Sequence, residues 1–133
     1  MSISSIAASG LLAASRRLEV SASNIANLES SGPLPGAPNA AGYPAAYSAQ
    51  RLDQVEAPGG GTSTTVTTAS PGTVAGYDPT APYADKNGMV AVPNVDLVNE
   101  AVQQITARTD FAMNAKIIQV ESEMMKSLLD IKV

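Results

Sequence analysis

The sequence predicts a mainly α protein. Two long terminal helices pack as a coiled-coil-like pair, with a small β-hairpin or irregular insertion between them. Three observations carry this. Apolar side chains recur at helical spacing over residues 3–28 and again over 96–131. Roughly 65 residues between them are rich in Gly, Pro, Ser, Thr and Ala, a long stretch for a compact domain to hold without regular structure. No Pro or Gly interrupts the second periodic segment. The expected organisation is an N-terminal helix in 1–30, an irregular region in 31–95 with a hairpin near 46–70, and a C-terminal helix in 96–133.

The first helix starts near Ser4 or Ser5, either of which can cap it. Its apolar stripe is Ala7, Leu11, Ala14, Leu18, Ser21, Ile25 and Leu28. Steps of four and three alternate along it, the rhythm of a heptad seam. Ser30, Ser31, Gly32 and Pro33 stop it. Residues 47–55 read as a strand of imperfect alternation. Residues 57–61, Ala-Pro-Gly-Gly-Gly, read as a turn or flexible tip. The Thr-rich run 63–69 around Val66 favours a second strand. Residues 77–93, punctuated by Pro79, Pro82, Gly88 and Pro93, read as extended or irregular, with a turn at Lys86-Asn87-Gly88-Met89. Asn94 or Asp96 then caps the second helix.

That helix carries the longest stripe: Val98, Val102, Ile105, Thr109, Met113, Ile117, Val120, Met124, Leu128 and Ile131. It covers 33 residues in nine steps, about 3.67 per step, which favours nearly straight or slightly right-handed packing over a tight left-handed supercoil. Ala101, Ala112, Ala115 and Ile118 make a partial second face, pointing to more than one neighbour.

Composition narrows the function. Phe111 is the lone Phe and Trp is absent, so burial rests on Leu, Ile, Val, Met and Ala. A core of small side chains removes little apolar area from water at ~25 cal/mol per Å², and neighbours are expected to complete it. The net charge is −4, with no basic run beyond Arg16-Arg17, which argues against nucleic acid as a partner. With neither Cys nor His, disulfides, thiolate chemistry and the commonest general base drop out. The N-terminus lacks the basic region of a cleavable signal, and no apolar run spans a membrane.

No chemistry-bearing constellation emerges. Asp85, Asp96, Asp110, Glu121, Glu123 and Asp130 read as solvated faces rather than a paired acid and base. Asp78, Asp85 and Asn87 lack the ligand ladder of a calcium loop. Gly59-Gly60-Gly61 lacks the Lys-Ser/Thr of a phosphate loop. No cofactor, metal or small-molecule ligand is expected. The apolar residues are read instead as subunit contacts: Leu11, Ala14, Leu18, Ile25 and Leu28 on the first helix, and Val98, Val102, Ile105, Met113, Ile117, Val120, Met124, Leu128 and Ile131 on the second. A lone helix pair leaves too much of this surface bare. Asn24 and Asn27, at an apolar helix end, read either as solvent-exposed or as register-setting polar contacts between subunits.

Three segments resemble a known family. Ser9-Gly10-Leu11-Leu12-Ala13-Ala14-Ser15-Arg16-Arg17-Leu18-Glu19-Val20, followed by Ala22-Ser23-Asn24-Ile25-Ala26-Asn27, resembles the signature of flagellar rod and hook proteins. The block from Tyr77-Asp78-Pro79 through Asp85-Lys86-Asn87-Gly88-Met89-Val90 to Pro93-Asn94-Val95-Asp96 looks like the FlgC family of flagellar basal-body rod proteins. The ending Met125-Lys126-Ser127-Leu128-Leu129-Asp130-Ile131 is similar too. The resemblance covers about the first 28 residues and the last 57. It implies a structural subunit of the periplasmic rod that transmits motor torque to the hook. Its partners would be other rod proteins, further copies of itself, and the type III export apparatus during secretion without a cleavable signal. The alternative reading is a cytoplasmic helical adaptor or export chaperone. An enzyme, such as a carboxylate-dependent peptidoglycan hydrolase, would need two close acids in a cleft.

Overall fold

Ser2 opens the first helix, two residues ahead of the expected caps. It sits in extended backbone, and its side chain accepts from the Ser5 N–H. The structure, a computed structural model, describes residues 2–37 and 40–131. Helix α1 spans Ile3–Ala26 and closes at Asn27, whose Nδ2 folds back onto the Ser23 carbonyl. At the far end of the chain α2 spans Leu97–Ile131. Asp96 caps it by accepting from the Val98 N–H at 2.9 Å, and Glu100 adds a favourable charge in its first turn.

The middle of the chain is more ordered than its composition suggests. Strands β1 (Gln50–Glu56) and β2 (Thr62–Thr68) pair antiparallel, Leu52 opposite Val66, around a turn whose three glycines all take positive φ. A second antiparallel pair follows, β3 (Thr73–Tyr77) with β4 (Met89–Pro93), in register from Thr73↔Pro93 to Tyr77↔Met89. Within residues 77–93, Tyr77 and 89–93 are paired strand and 78–88 is loop, so the architecture is mixed helix and sheet rather than mainly α. Three prolines in this block hid the strands, because a folded loop of residues 78–88 joins them instead of a two-residue turn. Gly32 bridges the other edge of β4 through a reciprocal pair of backbone bonds with Ala91. The Ala49 N–H donates to the Gly72 carbonyl, and the Ala69 N–H donates to the Ala49 carbonyl. These bonds tie the two hairpins together.

Helix α1 forms the middle layer. One side meets α2, which runs antiparallel to it. On the other, Ser9 Oγ accepts from the Thr62 N–H at 3.0 Å, and Val20 lines a cleft with Ala49, Gln50 and Leu52. Among the described residues the buried apolar side chains are six alanines (Ala7, Ala13, Ala14, Ala49, Ala91, Ala107), two valines (Val20, Val90) and the prolines Pro33 and Pro93. So small a set removes little apolar area per residue, leaving hydrogen bonds a large share in fixing the arrangement.

Candidate assembly surface

The inner faces of the helices are not the greasy ones. On α1 the residues turned to α2 include Ala7, Gly10, Ala14, Arg17, Ser21 and Asn24, again a three-four rhythm. This seam shares Ala7, Ala14 and Ser21 with the expected stripe, but its alternate members lie one residue earlier than Leu11, Leu18 and Ile25. On α2 the residues with reduced exposure are Glu100, Gln104, Ala107, Asp110, Asn114, Ile118 and Glu121, five of them polar. Small and polar side chains allow the close approach. A Cβ on Gly10 would lie 2.5 Å from Asn114 Oδ1.

Directional bonds cross this seam along its length. Arg17 reaches Asp110 at 2.7 Å and Gln54 of the first hairpin at 3.0 Å, joining all three layers. Ser21 Oγ donates to the Glu100 carbonyl at 3.0 Å, and the Ser4 hydroxyl donates to the Glu121 carboxylate. Residues 122–131 run on past that last contact, about 15 Å of helix at 1.5 Å per residue, and are exposed throughout.

Asn24 is 1% exposed and spends all of its polar capacity inside the chain. Its Nδ2 donates to the Gln50 carbonyl (2.8 Å) and Glu100 Oε1 (2.6 Å). Its Oδ1 accepts from the Gln50 N–H (2.9 Å) and the Tyr47 hydroxyl (3.0 Å). It is therefore neither solvent-exposed nor free to contact another subunit; the register it sets is that of its own chain. Asn27 is half-buried and caps its own helix.

The apolar stripe of α2 has the opposite fate. Val98, Val102, Ile105, Met113, Ile117, Val120, Met124, Leu128 and Ile131 are all exposed, from 40% at Val120 to 80% at Ile131. Ile3 of α1 joins Met113, Ile117, Val120 and Met124 in lining a shallow, almost wholly apolar groove. On α1, Ala14 is buried, Leu18 is 38% exposed, and Leu11, Ile25 and Leu28 are half-buried. Leu18 and Phe111 lie on one apolar cleft between the helices. Ile3, Ile6, Leu12, Met125 and Leu129 are exposed apolar residues that the stripe reading missed. Also missed were the seam residues Gly10, Arg17, Glu100, Asp110 and Asn114. Their helical spacing was visible, but spacing of polar residues ordinarily marks a solvated face.

The block from Tyr77 to Val95 folds into the β3–β4 loop and the lead-in to α2. Asp78 Oδ1 accepts from the Thr80 hydroxyl (2.6 Å) and N–H (3.1 Å), and these bonds hold its carboxyl below the ordinary range. Pro79 follows it, and its Cβ would lie 3.0 Å from any Cβ added at Gly88. Asp85 Oδ1 accepts from the N–H groups of Asn87 (2.7 Å) and Met89 (2.8 Å), and Gly88 turns the chain at φ +75°. Both aspartates thus close their own loop. Among the described residues no group of three or more Asp and Glu is placed to hold a metal ion. Pro93 ends β4, Asn94 bonds back to the carbonyls of Gly72 and Pro71, and half-buried Val95 leads to Asp96. Tyr77 is 73% exposed.

Comparison with known proteins gives a consistent result. The family model described as "Flagella basal body rod protein" matches residues 5–33, which cover most of α1. That of the "Flagellar basal body rod FlgEFG protein C-terminal" matches residues 86–131, which cover β4 and α2. The chain is 36% identical over 131 residues to the flagellar basal-body rod protein FlgC of Salmonella typhimurium, covering 96% of this chain and 95% of that protein. It is 36% identical over 135 residues to FlgC of Escherichia coli O6:H1, with the same coverage. Against FlgC of Agrobacterium fabrum the identity is 32% over 128 residues, covering 96% and 91%. These alignments run through the central hairpins as well as the terminal helices. The chain belongs to the FlgC family of flagellar basal-body rod proteins.

Proposed function

We propose that this chain is a structural subunit of the flagellar basal-body rod. Its terminal helices assemble into a helical tube that transmits motor torque to the hook. One observation carries the reading: the nine apolar stripe positions of α2 are all exposed, while α1 takes a different, largely polar face. An apolar strip of that length along a 35-residue helix is a contact surface awaiting neighbours. Self-contacts that join one face to a different face do not close on themselves, and so build filaments.

The remaining roles follow from the same reading. Residues 1–30 and 96–133 supply the helical wall, and 31–95 sets its relation to adjacent subunits. Between subunits, Leu11, Leu18, Ile25 and Leu28 meet α2 stripes in coiled-coil-like packing. The partners are other rod proteins and further copies of this chain. The site of action is the periplasmic rod, reached through the flagellar type III apparatus without a cleavable signal. No described helix is long and apolar enough to cross a membrane. The work is mechanical, with neither a reaction nor a cofactor. Nothing in the relatives favours the cytoplasmic adaptor.

Ile117→Asp and Leu18→Asp each test the contact surface. Both are expected to abolish rod assembly and swarming while export continues, because a carboxylate buried between apolar helices costs several kcal/mol. Swarming at the parental rate from both variants would refute the packing role of the stripe.

A further inference from the structure

Each hairpin is a sheet of only two strands, and two strands alone are marginal in water. The backbone bonding shows which edges stay open. Gln50 spends its N–H and its carbonyl on Asn24, so Gln50↔Thr68 is a pair that exchanges no ladder bonds. Such pairs alternate along an antiparallel ladder. The N–H and carbonyl of Thr64, Val66 and Thr68 therefore point away from β1. Ala91 likewise spends both groups on Gly32, so those of Thr73, Ala75 and Tyr77 point away from β4. Among the described residues none of these backbone groups has a partner. Helix α1 crosses the first hairpin obliquely. It covers the outer edge of β2 at Thr62, through Ser9, and that of β1 at Gln50. Open edges are normally guarded by charge, proline or a bulge. Strand β1 has Arg51, Asp53 and Glu56. Strands β2 and β3 have no charged residue, no proline and an unbroken register.

We propose that β2 of one copy pairs antiparallel with β3 of the next copy. Thr68 lies opposite Thr73, Val66 opposite Ala75, and Thr64 opposite Tyr77. The outward groups then meet at the same two-residue spacing, each N–H against a carbonyl. The two strands of each hairpin join into one antiparallel sheet of four. Charge matching favours this occupant, because a neutral strand meets a neutral strand, whereas β1 would bring Arg51, Asp53 and Glu56. Within one chain the two edges are held apart. Ala49 accepts from the Ala69 N–H and donates to the Gly72 carbonyl, a wedge between the end of β2 and the start of β3. The joint links two different edges, so every copy has one of each to offer and the array stays open. It lies outside the terminal helices and does not depend on how they sit before assembly. The inference deepens the rod-subunit reading and rests on it.

The chain has no cysteine, so Val66→Cys and Ala75→Cys place one thiol on each edge of the full chain. Opposed residues on adjacent strands have Cα atoms about 5.5 Å apart, within disulfide reach. Basal bodies isolated after mild oxidation of cells carrying the double variant are expected to show the chain as a ladder of linked dimers and higher oligomers. Each single variant is expected to stay monomeric. So is Thr65→Cys with Ala75→Cys, because Thr65 points to the other face of the sheet. Only monomer from the Val66–Ala75 pair overturns the proposal. A dimer from Val66→Cys alone, or a link to a different protein, also overturns it. In a second arm, Val66→Pro removes an outward N–H but no bond of the β1–β2 ladder, and Glu56→Pro does the same on β1. Swarming is expected to be lost in Val66→Pro and kept in Glu56→Pro. Parental swarming of Val66→Pro, or loss in both, overturns the joint. Absence of the chain from basal bodies sinks the rod-subunit reading and this inference with it, whereas its presence without a ladder sinks this inference alone.

Discussion

Replacing Gly10 by alanine sets two effects of opposite sign against each other. In an unobstructed helix interior the change stabilises by about 1 kcal/mol, because alanine is the better helix former. At Gly10 the new Cβ would stand 2.5 Å from Asn114 Oδ1 and 2.7 Å from Asn114 Cγ and Nδ2. Ordinary contact begins near 3.4 Å, so either the helices part or Asn114 turns away. Parting the seam is overpacking, at roughly 1–3 kcal/mol. Turning Asn114 breaks its 2.8 Å bond to the Asp110 carbonyl, at about 1 kcal/mol. The net expectation for Gly10→Ala runs from no change, if Asn114 turns, to a loss of about 2 kcal/mol, if the seam parts, a midpoint lower by up to roughly 8 °C in a chain of this size. Thermal and urea melts followed by circular dichroism measure it. Asn114→Ala removes the obstruction, so the double variant is expected to recover the loss, with a coupling of about 1–2 kcal/mol in the mutant cycle. A Gly10→Ala variant that melts about 1 kcal/mol higher than the parent would refute the close approach of the helices at this point.

Three further outcomes test other parts of the fold. Thr80→Val removes the hydroxyl that most strongly holds down the Asp78 carboxyl, so the Asp78 titration followed by NMR is expected to move up toward the ordinary value of 3.8. Because the folded-state value lies below the ordinary one, this carboxylate stabilises the loop above pH 3.8 and the contribution fades as the pH falls through its lowered value; the variant should show less loosening in acid. Gly88→Ala forces a side chain into φ +75° and to 3.0 Å from Pro79 and Tyr77, at about 1–2 kcal/mol, readable as faster amide exchange at Met89 and Val90. Arg17→Ala removes the ion pair with Asp110 and the bond to Gln54; with solvent screening of the part-exposed pair the cost is roughly 0.5–1.5 kcal/mol in a urea melt.

The terminal helices were legible because their periodicity is long and, in α2, unbroken by Pro or Gly. Asp96 was legible as a cap from its place just after Pro93. Which face of each helix turns inward was not. Apolar spacing marks the greasy side of a helix, and in Met113, Ile117 and Val120 that side is left exposed rather than packed within the chain. The inner seam, Gly10, Arg17 and Asn24 against Glu100, Asp110 and Asn114, reads in sequence as an ordinary wet surface. The first hairpin was visible in its Thr-rich strand and its glycine turn. The second was not, because β3 and β4 pair across an eleven-residue loop that Asp78, Asp85 and Gly88 shape by local bonds rather than by a two-residue turn signal. Asn24 was noticed as a polar residue in an apolar helix end, but its partners Tyr47, Gln50 and Glu100 are distant in sequence and only the tertiary fold brings them together.

Met113, Met124 and Met125 stand more than half exposed along the outer side and free end of α2. A copy travelling alone therefore presents three thioethers to any oxidant it meets. Sulfoxide formation would turn these flexible greasy side chains into polar, chiral ones. Damage would fall hardest on unassembled copies, and incorporation into the rod would end the exposure of whichever thioethers it covers.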